Sequence, residues 1–190
     1  MVTIFREEID LNKYFIVTYD MASKTNLRDA AWKLAIGQSV GNPDMRNQWE
    51  TDELFETHSC MVLHDESYLK TLNKGIVKIA FPIINIDFRT DGISHLLVNI
   101  MGGQMDIDNI IKCAVLDIQF PQSVHDCFLG PKFGINGIRE FTGVKDKPLF
   151  GAIVKPKTGI TPEILLEMVK ELVEGGVNFI KEDEILFWQK

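Results

Sequence analysis

The chain has 190 residues, 45% of them apolar, and a formal net charge of −7. That balance describes a globular protein with room for one or two domains, not a disordered chain. An acidic total without a basic run excludes a general nucleic-acid surface, and no apolar stretch approaches the ~18 residues of a membrane span. The N-terminus carries Glu7, Glu8 and Asp10 and no apolar signal core, so no secretory signal is expected. Cys60, Cys113 and Cys127 are odd in number and lack CxxC spacing. They read as buried free thiols, and a reducing, cytoplasmic compartment is the default expectation.

Tyr14 to Asp20 is rich in β-formers and predicts a strand. Thr25 or Asn26 can cap a helix whose apolar face is Leu27, Ala30, Ala31, Leu34 and Ala35. A polar stretch follows from Gly37 to Thr57. His58 to Leu63 predicts a second strand, Asn73-Lys74-Gly75 a turn, and Ile76 to Phe81 a third strand. Ile93 to Met101 predicts a helix, with Ser94 near its start and a stop at Gly102-Gly103. Lys112 to Phe120 predicts a fourth strand. The order strand, helix, strand, strand, helix, strand is that of a ferredoxin-like α+β domain.

Pro121 ends that module, Val124 to Phe128 is a short apolar segment, and Phe133 to Phe141 predicts a helix before Gly143. Leu149 to Val154 and Val177 to Ile180 are short apolar runs that read as buried strands. Between them Thr161 caps a helix with Pro162 in its first turn. Its apolar positions, Ile164, Leu165, Met168, Val169, Leu172 and Val173, follow the helical period, and Gly175-Gly176 stops it.

Each of these two runs ends in charge: Lys155-Pro156-Lys157 closes the first and Lys181-Glu182-Asp183-Glu184 the second. In a parallel strand-helix-strand unit such ends lie on one rim, where active sites form. Asp183 and Glu184 are hard oxygen donors suited to Mg²⁺. The period of two puts Lys181 and Asp183 on one face, with Lys181 open to pairing with the acids. Lys155 and Lys157 can bind a phosphate as point charges. One of them, desolvated beside the other, would have a lowered pKa and could act in proton transfer. Both clusters also read as solvated strand exits, and composition leaves that alternative open. His58, His64, His95 and His125 have no ligand spacing, and Gly130 to Gly134 before a helix is an unspecific anion signal.

At these residues the chain resembles the large subunit of ribulose bisphosphate carboxylase (RuBisCO) and the RuBisCO-like proteins. Three segments carry the resemblance: Gly151 to Gly159 (GAIVKPKTG), Gly175 to Glu184 (GGVNFIKEDE) and Gly130 to Arg139 (GPKFGINGIR). The resemblance implies a ferredoxin-like N-terminal domain, residues 1–125, followed over 126–190 by the first two β/α units of a truncated (β/α)8 TIM barrel. It implies that Lys181 takes up CO₂ as a carbamate and binds Mg²⁺ with Asp183 and Glu184. Lys155 then matches a catalytic acid/base lysine, and Lys157 an active-site lysine beside it. The implied chemistry is stabilisation of an enediolate on a phosphorylated, sugar-like substrate, in a homodimer whose site lies between two subunits.

Two departures point toward the RuBisCO-like branch. Gly37, in the stretch Ala35 to Pro43, stands where the family has a glutamate, and Gly103 stands where it has an asparagine. Both family side chains contact substrate in true carboxylases. One enolase group of the branch has a lysine near Gly103, absent here, and lacks the Lys-Pro-Lys motif that this chain keeps. A TIM barrel takes about 250 residues, far more than follow Pro148. The chain is therefore expected to be a fragment, inactive by itself. A true carboxylase and a non-catalytic ferredoxin-like interaction module are the alternatives.

Overall fold

The computed structural model describes residues 4–184 except 43 and 46, and of residue 105 only the backbone. Pro43, the last residue of the family-matched stretch, and residues 185–190 of the expected second domain lie outside the described residues. The chain divides between Leu129 and Gly130 into two compact units, against the boundary at 125/126 expected from the sequence.

The first unit is built on one antiparallel sheet of β1 (Tyr14–Ser23), β2 (Met61–Val62), β3 (Lys74–Pro82) and β4 (Ile110–Gln119), in the order β2-β3-β1-β4. Strand alternation sends Phe15, Val17, Tyr19 and Met21 to one face, all fully buried. Their cross-strand partners include Phe81, Ile79 and Val77. Phe15 stacks on Phe81 with ring centroids 5.2 Å apart. Leu27, Ala30, Ala31 and Leu34 of α1 (Leu27–Gly37) join the same core, as do Leu96 and Ile100 of α4 (Gly92–Met101). Tyr19 ties the layers together by donating its hydroxyl to the Ile100 carbonyl at 2.8 Å. Asn26 is the cap of α1, accepting from the Asp29 amide at 2.9 Å.

The polar stretch and the second strand come out differently from expectation. Thr51 caps a short helix, α2 (Asp52–His58), and Asp65 caps another, α3 (Glu66–Lys70). Each buries a single apolar residue, Phe55 and Leu69 respectively, so no periodicity announced them. His58 therefore ends a helix, with Nδ1 2.7 Å from Asn85 Oδ1, and β2 shrinks to two residues. Lys74 and Gly75, expected as a turn, begin β3. Val124 falls in α5 (Gln122–His125). All three cysteines are free; Cys60 is fully buried, whereas Cys113 and Cys127 are only half-buried.

The second unit contains α6 (Gly134–Thr142), β5 (Gly151–Ile153), α7 (Pro162–Glu174) and β6 (Phe179–Lys181). Gly143 ends α6 at φ +71°, a conformation that glycine adopts without strain. Thr161 accepts from the Ile164 amide at 3.4 Å to cap α7, as its sequence predicts. β5 and β6 pair in parallel, with Gly151 opposite Phe179 and Ile153 opposite Lys181. The strands are shorter than the apolar runs that predict them. The six apolar positions of α7 follow the expected period but none is buried: Leu165, Met168, Val169 and Leu172 are half-covered, and Ile164 and Val173 are exposed. Among the described residues no helix is long and apolar enough to cross a membrane.

Two outcomes follow from this packing. Burial pushes the Cys60 thiol up to about 12, so little reactive thiolate forms near neutral pH. Cys60 should stay unlabelled by a thiol reagent at pH 8 until denaturant is added, as read by mass spectrometry. A Cβ at Gly151 would lie 2.0 Å from the Phe179 ring, so Gly151→Ala should cost about 1 kcal/mol of stability in a denaturant titration. Adding Phe179→Ala should recover most of that loss, because the ring it removes is the obstruction.

Candidate functional site

The site is set by the register of two short strands. Asn178 donates its amide to the Phe150 carbonyl at 2.7 Å, and the Phe150 amide returns a bond to Asn178 Oδ1 at 2.8 Å. At the other end of the pair the Val154 amide donates to the Lys181 carbonyl at 3.2 Å. Between these clamps the strands run parallel, so both leave the sheet at the same edge. Val154 is buried and anchors the exit of β5. Lys155, Pro156 and Lys157 follow at once, facing the residues that follow β6.

All five expected site residues gather at this edge. Lys155 Nζ donates to Asp183 Oδ2, and Lys157 Nζ lies 3.4 Å from the same oxygen. Lys181 Nζ donates to Glu184 Oε1 at 2.5 Å. The Asp183 side chain is 9% exposed, against 74% for Glu184. Lys181 pairs with one of the acids, as it was open to do, but the face it was expected to share with Asp183 does not form. β6 ends at Lys181, so the two-residue alternation does not carry on to Asp183. Asp183 turns toward the lysines of the neighbouring strand instead, and Lys181 takes Glu184.

The electrostatics follow from those contacts. The hydrogen bond to Asp183 holds the Lys155 ammonium above the ordinary lysine range. For Lys155 the direction is thus opposite to the lowering anticipated from desolvation beside a second cation: the hydrogen bond to a carboxylate outweighs the desolvation. The hydrogen bond from Lys181 holds the Glu184 carboxyl below its usual range. As placed, the edge is an arrangement of lysines answered by acids. Asp183 and Glu184 suit Mg²⁺ in kind and number, since that ion commonly takes one or two carboxylates and completes its shell with water and substrate oxygens. Among the described residues no three His, Cys, Asp or Glu side chains converge as a metal cage.

The two departures named from the sequence meet in the first unit. Gly37 and Gly103 line one cavity of about 490 Å³, together with Lys33, Gln38, Asn42 and Asp106. Gln38 was not singled out from the sequence, yet it organises this cavity. Its Nε2 donates to the carbonyls of Val98 at 2.9 Å and Asn99 at 2.6 Å. A Cβ at Gly103 would sit 2.5 Å from Gln38 Oε1. Gln38 thus occupies the space that a side chain at 103 would fill. Lys33, also missed, is tied to Asp44 at 2.9 Å. The only signal for Gln38 was its place directly after Gly37 at the helix end. The histidines form no cluster: His64 Nε2 accepts from the Lys78 amide at 3.1 Å, and His95 Nδ1 lies 3.4 Å from Asp91.

The family model described as ribulose bisphosphate carboxylase large chain, catalytic domain, matches residues 134–189. Over 183 residues the chain is 34% identical to a 3-oxo-isoapionate-4-phosphate decarboxylase of Rhizobium etli, covering 90% of this chain and 43% of that protein. It is 33% identical over 181 residues to a 2,3-diketo-5-methylthiopentyl-1-phosphate enolase of Geobacillus kaustophilus, covering 90% and 42%. Among solved structures it superposes on the dimeric archaeal Rubisco of Hyperthermus butylicus with a TM-score of 0.76 and 27% identity, covering 95% of this chain and 42% of that one. The chain thus spans under half the length of the curated relatives it matches. The three motif segments and these matches agree: the chain belongs to the RuBisCO large-chain family.

Proposed function

We propose that the protein carrying this chain is a RuBisCO-like enzyme that performs Mg²⁺-dependent enolisation chemistry on a phosphorylated, sugar-like carbonyl compound. The observation that carries this reading is the gathering of Lys155, Lys157, Lys181, Asp183 and Glu184 at one edge of a parallel strand pair. In this reading Asp183 and Glu184 bind the metal. Lys181, as the neutral amine, adds CO₂, releases a proton to solvent and becomes a carbamate, the third oxygen ligand. A divalent cation held there supplies a Lewis acid that polarises the substrate carbonyl. Lys155 handles the proton lost or gained at the carbon beside that carbonyl, and Lys157 neutralises substrate phosphate.

The names of the two curated relatives support the substrate class, since each describes a phosphorylated carbonyl compound. Gly37 and Gly103, on one cavity wall, favour a reaction other than carboxylation. The first unit then serves as a ferredoxin-like domain, a reading supported by its antiparallel β2-β3-β1-β4 order, and the second as the opening of a β/α barrel, supported by parallel β5 and β6 around α7. A homodimer fits the dimeric relative. The likeness to that archaeal Rubisco also favours a true carboxylase as the second reading.

The test uses the full-length protein, Mg²⁺ and bicarbonate in D₂O, with phosphorylated ketoses as substrates. Exchange of the proton beside the carbonyl, followed by NMR, should fall about 10²- to 10⁴-fold in Lys155→Ala. Lys181→Ala should abolish its dependence on Mg²⁺. Unchanged exchange in both variants would remove these lysines from the chemistry. Incorporation of labelled CO₂ into ribulose bisphosphate would instead establish the carboxylase.

A further inference from the structure

The acids proposed to hold the metal are already neutralised, and by the chain itself. Lys155 and Lys157 converge from one strand exit on a single oxygen of Asp183, which sits at 9% exposure beneath them. Lys181 closes on the exposed Glu184 three residues along its own segment. Lys155 and Lys157 reach Asp183 across the strand pair, from a position fixed by buried Val154 and its bond to the Lys181 carbonyl. A divalent cation and an ammonium group compete for the same carboxylate oxygen, because each gains mainly by Coulomb attraction at short range.

From this arrangement we infer that Lys155 and Lys157 act as an internal counter-cation, a latch that fills the place of the metal on Asp183 and leaves when a divalent cation arrives. This rests on the metal reading above and adds a coupling to it. The two lysines cannot serve the substrate while they hold Asp183, so they become available only once the site is loaded. Metal entry and release of the working lysines are then one event. A metal-free site keeps its lysines engaged and its acids screened.

The probe is Mn²⁺ alone, titrated into the protein by electron paramagnetic resonance. Lys155→Met with Lys157→Met should bind Mn²⁺ about three- to tenfold more tightly, the range expected from removing two partly exposed ion pairs. The exposed lysines 145 and 147, replaced in the same way, control for the loss of positive charge and should change affinity less than about twofold. Acetylation of Lys155 and Lys157 by an amine reagent, mapped by mass spectrometry, should speed up in unmodified protein on saturation with Mn²⁺, while Lys170 on α7 does not change. Asp183→Asn with Glu184→Gln separates the two ideas. If that variant binds Mn²⁺ as the parent does, the metal reading itself fails. If it loses Mn²⁺ but the lysine variant binds no more tightly than the control, and acetylation does not respond to Mn²⁺, the latch alone is overturned. Weaker binding in the lysine variant would also overturn it, because the lysines would then be orienting Asp183 for the metal.

Discussion

The clamp between Asn178 and Phe150 is the contact on which the site depends. It fixes β6 against β5 in parallel register, and that register decides which charges meet. Only three residues pair on each strand, so the bonds between Phe150 and Asn178–Phe179 at this end and the one from Val154 to Lys181 at the other extend the alignment beyond the paired residues. A one-residue slip would turn every following side chain to the other face. The lysines of the first exit would then no longer meet the acids of the second. Gly151 serves the same end, since the Phe179 ring lies where its Cβ would be.

The two units differ in how far they satisfy their own hydrophobic pattern. In the first, strand alternation in β1 and β3 and the helical faces of α1 and α4 bury one another, and the residues of highest sequence signal are the most buried. In the second, α7 has an equally regular apolar stripe, but no position on it is buried. Phe179 and Ile153 stand half-exposed on the strands. The charged edge is thus better defined by hydrogen bonds than by packing. Its lysines and Glu184 are partly exposed, and ion pairs of such groups are each worth little by themselves, while Asp183 is nearly covered.

Much of this was legible in the sequence, for reasons tied to length and period. β1, α1, α4, β4, α6 and α7 are each nine residues or longer, so alternation or the helical period had room to repeat. α2 and α3 were not legible, because seven and five residues with one buried side chain each give no period. The gathering of Lys155, Lys157, Lys181, Asp183 and Glu184 could be read from charge at the ends of two apolar runs. Their pairing could not, because it depends on β6 stopping at Lys181. Gln38 was hidden for a different reason: its partners lie about 60 positions away, at Val98 and Asn99, and nothing local distinguishes it from any polar residue after a helix.

The account stands on a divalent cation site at the joint exit of β5 and β6. Paramagnetic broadening of backbone amide signals by substoichiometric Mn²⁺ tests it most directly. The account predicts losses concentrated at Lys155, Lys157 and Lys181 to Glu184. Broadening centred on other acids, such as Asp52 and Glu53 of α2, with Asp183 and Glu184 unchanged, would contradict it.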